Sequence, residues 1–263
     1  MSRGEEEKIG DPTITDTSRR CGTLRLVNRA AFILSAIVVA ILLTWGLHEA
    51  LQVAPTEATM GNIQRIFYYH VPSYAVAFTM FFVNLVASIV YLAKRNSSSS
   101  LAADAVAVSA AEIGVVFCSI GLMTGMIWAK PVWGIWWTWD PRLTSTFVLW
   151  LIYVSYLMLR QLSAGDQAPT LAAVLAIFGF VDVPIVYMSI RWWRTQHPQP
   201  VLFGEAGSGL DPSMVPALLI NLAAFLGYGA LIFGIRYKLE RARQELREAQ
   251  ALHAVELARA EAR

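Results

Sequence analysis

The sequence predicts an all-α integral membrane protein with six transmembrane helices. Three observations carry that prediction. Hydrophobic residues make up 56% of the chain and charged residues 15%, with a mean hydropathy of +0.49, whereas soluble domains carry roughly 25% charge. Six stretches reach the length of about 20 apolar residues that a spanning helix needs. Lysine and arginine are shared very unequally between the loops that join those stretches. The stretches are too long for the roughly 10-residue alternating strands of an outer-membrane barrel.

Residues 1–28 form a polar arm, and Met1 to Gly22 within it is expected to be disordered. The first span, near Ala31–Leu51, follows Arg19, Arg20, Arg25 and Arg29. Its apolar run exceeds the roughly 7–15 residues of a signal-peptide core, so it reads as a retained helix. Spans two to six lie near Ser73–Leu92, Ala105–Ala129, Thr144–Leu162, Thr170–Ile190 and Met214–Ile235. Asn96 to Ser100 is a flexible linker between spans two and three. Residues 29–238 therefore make the membrane domain, and 239–263 an alanine-rich, charged helical tail whose Arg and Glu spacing suits a solvated helix. Glu112 in span three and Asp182 in span five, just before Pro184, are costly in lipid. Their ordinary role would be polar contact between helices.

Six spans place both termini on one side. That side holds 16 of the 21 basic residues, which makes it cytoplasmic by the positive-inside rule. The three loops on the other side then face the periplasm of a bacterium, and the protein belongs in the inner membrane. The net charge of +2 and the lack of a basic block give no sign of a nucleic-acid partner.

The second outward loop reads WGIWWTWDPRLTS, with Trp133, Trp136, Trp137 and Trp139 packed beside Asp140 and Arg142. Trp128 and Trp150, taken singly, read as interfacial anchors. The cluster does not, because an aromatic belt is scattered around a bundle rather than crowded into one loop. It reads as a platform for a flat apolar ligand or a partner. The first outward loop, IQRIFYYHVPS, carries His70 and Arg65; the third, SIRWWRTQHPQP, carries His197 and Arg194. The other two histidines are less informative: His48 sits at the end of span one beside Glu49, and His253 in the charged tail.

Two neutral imidazoles suit the two axial positions of a heme iron. Indoles suit the faces of the porphyrin, and Arg65, Arg142 and Arg194 suit its propionates. Zinc fits worse, since no short-spaced set of third and fourth ligands is apparent. A cytochrome b subunit would place its histidines within the spans. Cys21 and Cys118 are far apart and there is no C-x-x-C-H, so the chain is not itself a c-type cytochrome. Without G-x-x-x-x-G-K-[ST], any ATP hydrolysis belongs to a partner.

The tryptophan-rich stretch, with RIFYYHVP before span two and RWWRTQH after span five, resembles the WWD motif and flanking histidine loops of cytochrome c maturation protein C, the CcmC family. The resemblance runs from about Asn28 to Lys238. It implies a non-enzymatic protein that holds non-covalent heme b between loop histidines, here His70 and His197, at the periplasmic face. It also implies delivery to a membrane-anchored periplasmic heme chaperone. The implied partners are a membrane permease subunit, a small membrane subunit and a cytoplasmic ATPase, together an ABC-type complex for cytochrome c biogenesis. The motif falls on Trp133, Trp136, Trp137, Trp139, Asp140, Arg142, Leu143 and Thr144. Pro141 and Pro198 depart from it, where alanine and glutamine are expected. The alternatives are a cytochrome c heme lyase, which is usually larger with further histidines in its spans, and a heme-translocating permease, for which the spans carry few polar residues.

Overall fold

A computed structural model describes residues 12–97, 99–162, 167–198 and 210–261, with side chains from Arg29 onward. Its regular elements among those residues are helical: α1 Pro12–His48, α2 Phe67–Ala93, α3 Ser99–Trp133, α4 Pro141–Leu162, α5 Ala168–Phe180, α6 Asp182–Trp192 and α7 Val215–Glu261. Six helical segments are long and apolar enough to cross a membrane, in agreement with the six expected spans. Residues 1–11 of the expected disordered arm lie outside the described residues, while α1 takes in the arm from Pro12 onward.

The chain divides into two compact units, Met1–Ile41 and Leu42–Arg263. In the first, Ile33, Leu34, Ile37, Val38 and Ile41 are exposed, as a lipid-facing helix requires. In the second, α1 ends in a wide π turn over Glu49–Val53, and a 3-10 turn at Asn62–Ile66 leads into α2.

The tightest packing joins α2 to α3. Phe81, Tyr74 and His70 of α2 meet Gly114, Gly121 and Gly125 of α3, one after another along the seam. A Cβ at Gly114 would come within 2.5 Å of the Phe81 ring, and one at Gly121 within 2.6 Å of Tyr74. Small residues let helix backbones approach where lipid supplies no hydrophobic drive. Deeper in the same seam Asn84 Nδ2 donates to the Ala107 carbonyl at 2.7 Å. The core behind it holds Val76, Phe117, Leu149, Tyr153, Tyr156 and Val186, and Phe81 stacks on Tyr153 with ring centres 3.8 Å apart.

Span five differs from the expected single helix. It breaks at Val181 into α5 and α6. Pro184 explains the break: it lacks the N–H that would bond to the Phe180 carbonyl, and its ring crowds that carbonyl. Asp182 opens α6, with Oδ2 buried and without a hydrogen-bond partner among the described residues. Glu112 pairs with Arg236 of α7, whose Nη2 lies 2.7 Å from Glu112 Oε1. Next to it Arg160 of α4 grips Asp104 of α3 at 2.5 and 2.8 Å, and Gln244 Nε2 of α7 bonds to the Leu101 carbonyl at 3.1 Å. Glu240 and Gln244, at the root of the tail, are accordingly buried, whereas Leu246, Leu252 and Val255 beyond them are exposed.

Candidate functional site

His70 is buried on the first turns of α2, at the end of the glycine seam. Gly125 makes room for it, since a Cβ there would stand 3.0 Å from His70 Cε1. Tyr74 and Trp128 meet the imidazole edge to face, with centroids at 5.0 and 5.8 Å. Its Nδ1 lies 3.0 Å from Thr124 Oγ1. The threonine hydroxyl also lies 2.7 Å from the Ile120 carbonyl, to which it donates its single proton. Toward the imidazole it can only accept. The Nδ1 of His70 therefore carries the proton, and Nε2 keeps its lone pair.

His197 is half-buried in the non-helical segment after α6. Its Nδ1 lies 2.8 Å from the Pro198 carbonyl, an acceptor only, so again Nδ1 is protonated and Nε2 is left as a ligand. Burial first, and then the charge of Arg142, push its imidazole down to about 4, so it is neutral at ordinary pH. His70 and His197 lie near enough to influence one another, and both feel the charge of Arg142. The structure thus brings together three residues expected at one site from sequence positions 70, 142 and 197.

Asp140 is the joint of the site. The residue is 8% exposed. Its Oδ1 accepts from the Arg142 N–H at 3.0 Å and caps the start of α4. Its Oδ2 accepts from the Gln196 N–H at 2.9 Å. One side chain therefore holds the tryptophan loop in shape and hangs the His197 segment from it.

The loop before Asp140 begins where Gly134, at φ +79°, ends α3 in the left-handed conformation open to glycine. The indoles after it are not coplanar. Trp137 meets Trp139 edge to face at 5.8 Å and rests on Phe147 of α4 at 5.9 Å. Trp136 and Trp139 are 56% and 73% exposed, while Trp133 and Trp137 are half-buried. Trp137 is thus the foot of the cluster, and its neighbours face outward from it.

The three arginines differ. Arg142 Nη1 donates to the Val186 and Tyr187 carbonyls, midway along α6, at 3.0 and 3.3 Å. Arg65 is tied instead within its own loop, to the Ala50 carbonyl and, at 3.2 Å, to Asn62 Oδ1. Arg194 is exposed. His48 and His253 are exposed as well, away from these contacts.

Trp128 and Trp150 are not free belt residues. Trp128 packs on His70 and Phe67, and Trp150 donates to Ser119 Oγ at 2.8 Å and stacks on Phe147. Both sit on helix faces turned toward a neighbouring helix, which a position near a span end does not reveal. Thr124, Gly125 and Tyr74 were likewise not legible as site residues. The nearest signal was the spacing of Gly114, Gly121 and Gly125 against the aromatics of α2.

The fold and the site define a multi-pass helical membrane protein that gathers two neutral histidines and a tryptophan-rich loop at one end of its bundle. A family model described as heme exporter protein C (CcmC) matches residues 16–252. Heme exporter protein C of Bradyrhizobium diazoefficiens is 32% identical over 247 residues, covering 94% of this chain and 92% of that one. The proteins of that name from Rhodobacter capsulatus and Escherichia coli K12 are 34% and 33% identical, over 86% and 77% of this chain and 89% and 80% of theirs. The chain belongs to the heme exporter protein C family.

Proposed function

We propose that this protein holds heme b, as a non-covalent cargo, between His70 and His197 at the periplasmic face of the bacterial inner membrane. From there it delivers the heme to a membrane-anchored periplasmic heme chaperone for c-type cytochrome biogenesis. A permease subunit, a small membrane subunit and a cytoplasmic ATPase complete the working complex. One observation carries this reading: both imidazoles give their Nδ1 proton to a protein acceptor and so keep an Nε2 lone pair for iron. The names of the relatives agree with heme as the cargo, and the uneven lysine and arginine distribution supports the orientation. Heme supplies an iron with two axial positions and two anionic propionates. Arg142, charged and beside both imidazoles, supplies propionate contacts through the rest of its guanidinium fork. Trp136 and Trp139 offer exposed apolar surface to the ring and the incoming chaperone.

The visible spectrum of the protein purified in detergent tests the reading. The wild type should show low-spin, six-coordinate heme. His70→Ala and His197→Ala should each change the spin state or lose the heme, and His253→Ala should do neither. Unchanged spectra in both site variants would end the assignment.

A further inference from the structure

The two histidines are held in different ways, and the difference rests on a residue the family motif does not contain. We infer that Thr124 is the positioning residue that locks His70 as the fixed axial ligand, leaving His197 as the ligand that exchanges when heme is handed on. This rests on the heme reading above.

His70 is fixed from three directions. Thr124 stands on α3, on the turn facing α2, and its Oγ1 lies within 2.7 and 3.1 Å of the Ile120 and Gly121 carbonyls. The nearer Ile120 carbonyl takes the hydroxyl proton, and the oxygen turns a lone pair to His70 Nδ1 at 3.0 Å, beside the Gly121 carbonyl, which also bonds to His70. A ring flip would point a C–H at that oxygen and lose the bond. Tyr74 and Trp128 flank the ring, with interplanar angles of 85° and 83°, and Gly125 lies against its edge. Every one of these contacts comes from a long helix. The tautomer and the direction of Nε2 are therefore set before any ligand arrives.

His197 has none of that support. Its ring is bonded to the carbonyl of the very next residue, so the bond travels with the segment instead of fixing it. Its backbone N–H goes to Thr195 Oγ1 at 3.0 Å, also local. Among the described residues, the long-range hydrogen bond of this stretch is that of the Gln196 N–H to Asp140. No aromatic ring packs on His197 among the described residues. A half-exposed, non-helical segment opens at a lower free-energy cost than a buried helix. A carrier that must both retain and surrender its cargo is served by one ligand of each kind.

The experiment uses the full-length protein in detergent, with hemin as the probe. Thr124→Val keeps the shape and removes the acceptor, while Thr124→Ser keeps the hydroxyl. Loss of such a supporting partner typically weakens metal affinity on the order of 10–100-fold. Thr124→Val should lose hemin affinity by that factor, and Thr124→Ser should stay near the wild type. Histidine 15N spectra of the heme-free protein should show His70 protonated at Nδ1 in the wild type and in Thr124→Ser. A mixture of tautomers is expected in Thr124→Val. Added imidazole should restore a six-coordinate spectrum to His197→Ala and fail to do so in His70→Ala. Wild-type affinity in Thr124→Val, an Nε2-protonated His70 in the wild type, or equal imidazole rescue of both histidine variants would overturn the inference. The 15N result is independent of heme, so a wild type without a bis-imidazole spectrum would defeat the heme reading while leaving Thr124 separately tested.

Discussion

Replacing Asp140 by asparagine should release His197 while sparing the tryptophan loop. Each carboxylate oxygen has one backbone N–H: Arg142 at 3.0 Å on Oδ1 and Gln196 at 2.9 Å on Oδ2. Asparagine has one acceptor oxygen and is as good a helix N-cap as aspartate. It can therefore keep the bond to Arg142. Its NH2 then points at the Gln196 N–H, donor against donor, and the tether is lost. Asp140 is buried while Gln196 is exposed, so water reaches the freed N–H but does not restore the link between the two loops. Hydrogen bonds to a charged group contribute about 1.5–3 kcal/mol. At about 1.4 kcal/mol per tenfold, hemin affinity should fall by about 10- to 150-fold. The assay is hemin titration of the purified protein at matched abundance, for Asp140→Asn, His197→Ala and the double variant. If the aspartate acts through His197, the double variant should bind hardly worse than His197→Ala alone, because coupled residues do not add. Wild-type titration in Asp140→Asn, or full additivity in the double variant, would refute the tether.

Two further outcomes follow from the same contacts. Because burial, followed by the Arg142 charge, lowers His197 from 6.5 to about 4, the folded site binds fewer protons than the unfolded chain between those values. Its contribution is full above about 6.5 and declines as pH falls toward about 4; an NMR titration of His197 in the heme-free protein should have its midpoint near 4, and a midpoint at 6.5 or above would contradict the geometry. Along the α2–α3 seam, Gly114→Ala places a Cβ 2.5 Å from Phe81 and should lower thermal stability by about 1–3 kcal/mol of overpacking with the heme spectrum of the remaining protein unchanged. Gly125→Ala presses on His70 at 3.0 Å and should alter the spectrum with little loss of stability; the reverse pattern would contradict the seam.

The number and approximate position of the spans were legible in the sequence because burial in lipid is a property of each stretch alone: about 20 apolar residues identify a helix whatever surrounds it. His70, His197 and the loop from Trp133 to Arg142 were legible for a related reason, since those residue types at span ends are unusual in themselves. Packing partners are not of that kind. Thr124, Gly125 and Trp128 look like ordinary residues of a span until α3 is laid against α2, 54 residues away between His70 and Thr124. The three arginines were indistinguishable by sequence, and only the tertiary structure brings Arg142 within electrostatic reach of both imidazoles and ties Arg65 to the Ala50 carbonyl. The break at Val181 depended on one proline in an otherwise continuous apolar run. The bond from Asp140 to Gln196 joins two loops 56 residues apart. Such a contact is decided by how the helices of the larger unit pack, because only their assembly brings both loops together, and no local pattern of residues records that distance.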